Sequence, residues 1–158
     1  MHELDQKRTK TLENCFKTVK ENLGTIFNDL LPGATAHLTL IDENDVTKGA
    51  ELRVHFNNVK KELSELSGGQ RSLLALSFIL ALLLYKPSPF YILDEIDSAL
   101  DLSHTENIGY MISKRFPQSQ FLLISLKEGM FQNANVLYKV HFAEGESKVD
   151  RQVLKKKK

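Results

Sequence analysis

Leu12, Phe16, Val19, Leu23, Ile26 and Leu30 recur at alternating spacings of four and three. The spacing predicts a helix over residues 4–30 with an a/d seam. Before Leu12 the seam fades, because Asp5 and Thr9 occupy the expected positions. An amphipathic helix packed on its own domain and the end of a coiled coil fit this pattern equally well. Pro32-Gly33 closes the helix as a turn. Ala36, Leu38 and Leu40 then alternate with His37 and Thr39, and Leu52, Val54 and Phe56 alternate with Glu51, Arg53 and His55. Two half-buried strands follow, joined as an antiparallel pair by the polar segment 42–49. Asn57-Asn58 ends the second strand, Lys60-Lys61-Glu62 reads as solvated loop, and His37 and His55 read as surface strand residues rather than ligands.

The second half is more apolar. Ser67 and Gln70 have the spacing of a capping box, so a helix starts there and runs to Lys86-Pro87. From Leu73 to Leu84 it is apolar on all sides apart from Ser77, which predicts burial inside a larger assembly. Phe90 to Leu93 is an apolar run ending in Asp94-Glu95, as expected of a strand buried on both faces of a parallel sheet. Ser103 with Glu106 suggests another capping box and a helix to about Arg115, before Phe116-Pro117. Phe121 to Ser125 reads as a second buried strand, and residues 128–131 as a helical turn. Residues 136–142 and 148–153 read as strands about a turn at 143–146. The expected organisation is a helix over 1–30, one α/β domain over 31–154 and a basic tail over 155–158.

Composition adds limits rather than a function. A chain of 158 residues with 42% hydrophobic and 26% charged content suits one domain with a real core. A net charge of +1 gives no global reason to expect nucleic acid. The single cysteine, Cys15, excludes an intramolecular disulfide and fits a reducing compartment, and the five histidines show no zinc-ligand spacing with it. The first ten residues lack the apolar core of a signal peptide. The long apolar run falls short of the roughly 20 residues that span a bilayer, so no membrane association is expected.

Two motifs carry the candidate chemistry. At Ser67-Gly68-Gly69-Gln70, a helix N-terminus offers unpaired N–H groups and a partial positive charge, and the glycines let a phosphate approach the backbone. A well-capped buried helix would also explain the motif. Asp94 and Glu95 end a buried strand at the sheet edge where α/β proteins bind ligands. There Asp94 suits Mg²⁺, usually through water, and Glu95 suits orienting or deprotonating an attacking water. A plain pair of carboxylates at a strand end is the competing reading.

Taken together, LSGGQ, about twenty residues, FYILDE and SALD resemble the ATP-binding-cassette superfamily. Their counterparts there are the signature motif, Walker B with its catalytic glutamate, and the D-loop. LSGGQRSLLALS and YILDEIDSALD are similar to heads of the structural maintenance of chromosomes (SMC) family, since Ile96-Asp97 stand where transporters carry Pro-Thr or a close variant. LPGATA, ALDLSHTENIG and SLKEGMFQNANVLYK narrow the resemblance to the type-two condensin subunit of eukaryotes, from about Thr25 to Val149.

The resemblance implies the C-terminal lobe of an ABC-type ATPase head. Such a lobe has a mostly parallel sheet flanked by helices, antiparallel edge strands and an N-terminal neck helix from a coiled coil. No glycine here is followed by lysine, so the Walker A pattern is missing and the N-terminal lobe of the same polypeptide would supply the main phosphate cradle. Cofactors would be ATP and Mg²⁺. Ser67, Gly68, Gly69 and Gln70 would contact ATP held by the partner head, a type-four condensin subunit. Asp94 (as metal residue) and Glu95 would serve this head's own nucleotide, and Asp101 would communicate across the dimer. The kleisin would bind the neck helix, DNA would bind through the whole complex, and the location would be nucleus and cytoplasm, on chromosomes. Leu126 stands where many cassette ATPases carry a switch histidine and cannot hydrogen-bond a phosphate, which implies slow turnover. Two alternatives are a head fragment of a DNA-repair or transporter-type cassette ATPase and a non-enzymatic coiled-coil module.

Overall fold

The computed structural model describes residues 2–57 and 59–154, so the basic-tail expectation at 155–158 lies outside the described residues. Helix α1 (His2–Leu30) leads into strand β1 (Ala34–Leu40), which pairs antiparallel with β2 (Ala50–Phe56), Ala36 opposite Val54. The pairing and its polar connection follow the predicted alternation. Ala34, Ala36, Leu38 and Val54 point into the core, while His37 and His55 meet edge-to-face on the outer side, 5.2 Å between ring centroids.

The expected solvated loop at 60–62 is corrected. Val59–Lys61 forms strand β3 and pairs with β2, Lys60 opposite His55. A polar segment is stable in this place because an edge strand satisfies its backbone on one side and leaves its side chains in water.

The first helix divides into two parts. Val19, Leu23, Ile26, Phe27 and Leu30 are buried, whereas Leu12 is exposed and Leu4 is 70% exposed. The C-terminal half packs on helix α2 (Gly68–Tyr85), β1 and helix α3 (Leu102–Arg115), and Arg115 Nε donates to Asp29 Oδ2 at 3.1 Å to tie the ends of α1 and α3. The N-terminal half is held more lightly: Cys15 and Phe16 pack against the core, and the Tyr85 hydroxyl of α2 donates to the Thr11 carbonyl at 3.4 Å.

In α2, Leu73, Leu74, Leu76, Ser77, Leu80 and Ala81 are buried, and the Ser77 hydroxyl donates to the Leu73 carbonyl at 2.7 Å. By length and composition alone α2 could cross a membrane, but this face lies in the domain core. Burial on all sides is not found within this chain: Ile79 and Leu82 are exposed.

Strand β4 (Phe90–Asp94) runs parallel to β5 (Gln120–Ile124), in register from Phe90 opposite Gln120 to Asp94 opposite Ile124. Tyr91, Phe116 and Phe121 interlock on the inner face, with centroids 4.8 to 6.2 Å apart, and Ser88 N–H donates to the Tyr91 hydroxyl. The expectation of burial on both faces is corrected, because Phe90, Ile92, Leu122 and Ile124 all lie exposed on the other face. Helix α4 (Glu128–Phe131) then precedes hairpin β6 (Val136–Ala143) and β7 (Glu146–Val153). Glu144 (φ 56°) and Gly145 (φ 81°) form its two-residue turn with left-handed backbone, as hairpin twist favours. Tyr138, Val140, Phe142, Val149 and Val153 are exposed along it. The class is α/β; the parallel sheet is represented by the β4–β5 pair, and the other two sheets are antiparallel.

Candidate functional site

The start of α2 forms as its sequence predicts. Ser67 is the N-cap, its Oγ accepting the Gln70 N–H at 3.2 Å, while Gln70 Oε1 accepts the Ser67 N–H at 3.0 Å. The box leaves the Ser67 hydroxyl proton free to donate. A Cβ added at Gly68 would meet nothing within 4 Å, whereas one at Gly69 would lie 3.3 Å from the Ala99 carbonyl oxygen. Internal packing is therefore tight at 69 and not at 68, where the backbone is open to approach.

At the carboxyl end of β4, Asp94 and Glu95 are both exposed. Glu95 has φ 46°, a left-handed conformation that costs a glutamate about 1 kcal/mol or more. Its N–H donates to the Ile124 carbonyl at 2.9 Å and its carbonyl accepts from Ser98 N–H at 3.2 Å, so β5 and the following turn hold it there. Neither carboxylate takes part in an ion pair among the described residues. That free pair of hard oxygen donors suits a divalent cation with its bound waters.

Asp101 has a local role that displaces the predicted Ser103 cap. It is the N-cap of α3, and its Oδ1 accepts from His104 N–H at 3.0 Å and Ser103 Oγ–H at 2.9 Å. These bonds, the His104 N–H first, hold its carboxyl below the usual 3.8. Ser103 and Glu106 lie inside the helix, where Glu106 accepts from Gln132 Nε2 at 2.8 Å. The two cap candidates are two residues apart, and the carboxylate at 101 reaches the free amide at 104 first.

Thus the Ser67–Gln70 segment and the loop over residues 98–101 meet at Gly69 and Ala99. No hydrogen bond or ion pair among the described residues joins Ser67–Gln70 to the side chains of Asp94 or Glu95. A shallow groove lined by Arg53, Lys60, Lys61 and Glu62 contains none of the motif residues. Leu126 is 92% exposed beyond β5 and bonds nothing through its side chain.

Sequence reasoning missed three residues beside the motifs. Asp97 is 2% exposed and accepts from Ser125 Oγ–H at 2.6 Å; Lys127 reaches the carbonyls of the same loop. The available signal was a further carboxylate, Asp97, two residues after Glu95.

Comparison with known proteins gives a consistent result. The profile described as RecF/RecN/SMC N terminal domain matches residues 32–148. Structural maintenance of chromosomes protein 2-1 of Arabidopsis thaliana is 57% identical over all of this chain, which spans 14% of that protein's length. A crystal structure of the SmcHead bound to the C-winged helix domain of ScpA aligns with TM-score 0.78 and 33% identity, covering 89% of this chain and 44% of that one. A structure described under ATP-driven dimerization and DNA stimulated activation of SMC ATPases aligns with TM-score 0.75 and 34% identity, covering 87% of this chain and 84% of that one. Profile, sequence relative and head structures agree over the segment that carries every motif above, and this chain belongs to the structural maintenance of chromosomes family.

Proposed function

We propose that this chain is the C-terminal lobe of a condensin-type SMC ATPase head, hydrolysing ATP only when an N-terminal lobe and a partner head complete it. The observation that carries the reading is the bare apolar face of β4–β5, which ends at Asp94 and Glu95. A parallel pair needs cover on both faces, and the missing layer would bring the phosphate cradle that this sequence lacks. The exposed apolar residues of α2 and the β6–β7 hairpin give that layer further surface.

ATP and Mg²⁺ fit the residues present. When bound, the metal would neutralise charge on the phosphate oxygens. Asp94 would hold it, directly or through water, and Glu95 would orient a water and accept its proton. At the opposite end, the Ser67 hydroxyl and the Gly68 and Gly69 amides would donate to phosphate on the partner head, a type-four condensin subunit. Gln70 would keep Ser67 in place through the capping box. Asp101, pinned as the α3 cap, would carry a shift of the D-loop to the dimer interface. Leu126 contributes no hydrogen bond, so proton transfer would depend on Glu95.

Residues 1–30 would form the neck, residues 31–154 the head lobe. The neighbour bound to a ScpA winged-helix domain supports a kleisin partner, with the exposed residues of α1, Leu4 and Leu12 among them, as the available surface. DNA would act through the whole complex, in nucleus and cytoplasm and on chromosomes. Co-expression with the N-terminal lobe, followed by nucleotide binding, tests the reading. The pair should retain ATP and the chain alone should not; tight binding by the chain alone would sink the division into lobes.

A further inference from the structure

The loop over residues 97–100 is held by a side chain outside the LSGGQ, FYILDE and SALD segments, that of Lys127. Lys127 Nζ donates to the carbonyl oxygens of Asp97 at 2.6 Å and Ser98 at 3.1 Å, and also to that of Leu100. All three ammonium protons are thereby directed at one four-residue loop. No ion pair among the described residues involves Lys127. A second link runs alongside, since Lys127 N–H donates to Ser125 Oγ at 2.9 Å and that hydroxyl donates to buried Asp97.

Packing fixes where the Lys127 backbone sits. Lys127 is the residue before α4, and α4 lies so close to α3 that a Cβ on Gly129 would be 2.2 Å from Thr105 Oγ1 and 2.9 Å from the Leu102 carbonyl. Across the same contact, a Cβ on Gly109 would be 3.0 Å from the Met130 carbonyl. With α4 held this tightly, the Lys127 side chain starts from a fixed point beside the loop carbonyls. The Ala99 carbonyl, which Lys127 does not bind, faces Gly69 at the start of α2 instead. Asp101, next in the chain, caps α3.

We propose that Lys127 is a positioning residue that locks the D-loop against the signature helix, and thereby couples this head's own nucleotide end to the end facing the partner head. The inference rests on the ATPase-head reading for its consequence, and on the geometry of the loop alone for the lock. Its path is physical: Glu95 N–H bonds the end of β5 at Ile124, Ser125 and Lys127 follow on the same strand end, and their bonds reach 97–100 and so Gly69. Removing the ammonium leaves three carbonyls without their charged donor.

The test compares Lys127→Met, which keeps the stem, with Lys127→Arg, which keeps a charge and several donors. Amide exchange is read at Ser98 and Leu100, whose N–H groups bond the Glu95 and Asp97 carbonyls. In Lys127→Met these two amides should exchange about tenfold faster or more, as expected for loss of charge-assisted bonds. The buried amides of α1 and α2 should be unchanged. In the head assembled with its N-terminal lobe and partner head, the partner concentration for half-maximal hydrolysis should rise about tenfold, while ATP retention by the single completed head stays the same. Lys127→Arg should restore part of both effects. Should Lys127→Met fail to fold, Lys127→Arg against the natural chain carries the same test, with a smaller shift in the same direction. Unchanged exchange at Ser98 and Leu100 overturns the lock, and unchanged partner dependence overturns the coupling. An assembled natural head that hydrolyses no ATP defeats the ATPase reading instead, and the exchange comparison still decides the lock.

Discussion

The Cβ position of Gly69 lies 3.3 Å from the Ala99 carbonyl oxygen, while that of neighbouring Gly68 faces open space. The two glycines of the signature segment therefore serve different ends. Gly68→Ala should leave the thermal midpoint and denaturant stability within about 0.5 kcal/mol of the natural chain. It should still abolish ATP-dependent engagement with a partner head, since the methyl group occupies the approach to the backbone. Gly69→Ala should weaken engagement and also shift the D-loop, detectable as changed amide chemical shifts across 97–101. A Gly68→Ala head that engages normally would remove the phosphate role of that amide.

Glu95 offers a separation of stability from activity. It holds a left-handed backbone that a glycine adopts freely. Glu95→Gly should raise unfolding free energy by roughly 0.5–1 kcal/mol in denaturant titration. The same change should lower hydrolysis by the assembled head by about a hundredfold or more, as loss of a general base does. A variant both less stable and fully active would contradict both parts.

Close packing of α3 on α4 makes Gly129 sensitive. Thr105 can rotate away from an added methyl, but the Leu102 carbonyl at 2.9 Å is backbone and cannot. Gly129→Ala should cost about 1–3 kcal/mol in equilibrium unfolding, as overpacking does. Gly145→Ala should cost less, since its added methyl meets nothing and only the positive φ is strained.

The pH dependence follows from Asp101. Bonds from His104 N–H and Ser103 hold its carboxyl below 3.8. A depressed folded value means the contribution is fully present above 3.8 and fades as pH falls through the lower folded value. Asp42, Asp45 and Glu65 are lowered in the same direction by their own hydrogen bonds and share the acid loss. Asp101→Asn keeps an acceptor oxygen without the titration, so its stability should fall less steeply below pH 3.8 in acid denaturation. Identical acid profiles would show that the α3 cap carries no charge dependence.

Much of this was legible in the chain because the signals were local. The Ser67–Gln70 box involves residues three apart, and the β1–β2 alternation needs only period two. What was hidden depended on distant partners. Val59–Lys61 is a strand because β2 offers an edge, not because its residues favour one. Phe90 and Ile92 look like residues of a two-sided core strand, and no local signal shows that their outer face is exposed in the fold. Lys127 reads as an ordinary surface lysine until the fold brings three carbonyls to it. The seam of α1 was ambiguous because a single pattern serves two environments: Leu23→Ala should cost about 2–5 kcal/mol, and Leu12→Ala about 0.5 or less.

The most direct measurement of the central claim is ATP hydrolysis by this chain combined with its N-terminal lobe and a partner head, set beside assemblies lacking one component. The account predicts hydrolysis only in the three-part assembly. Ser67→Arg should block engagement while ATP is retained, and Glu95→Gln should let engaged heads accumulate with ATP uncleaved. Hydrolysis that persists without the partner head, or that Glu95→Gln leaves unchanged, would contradict it.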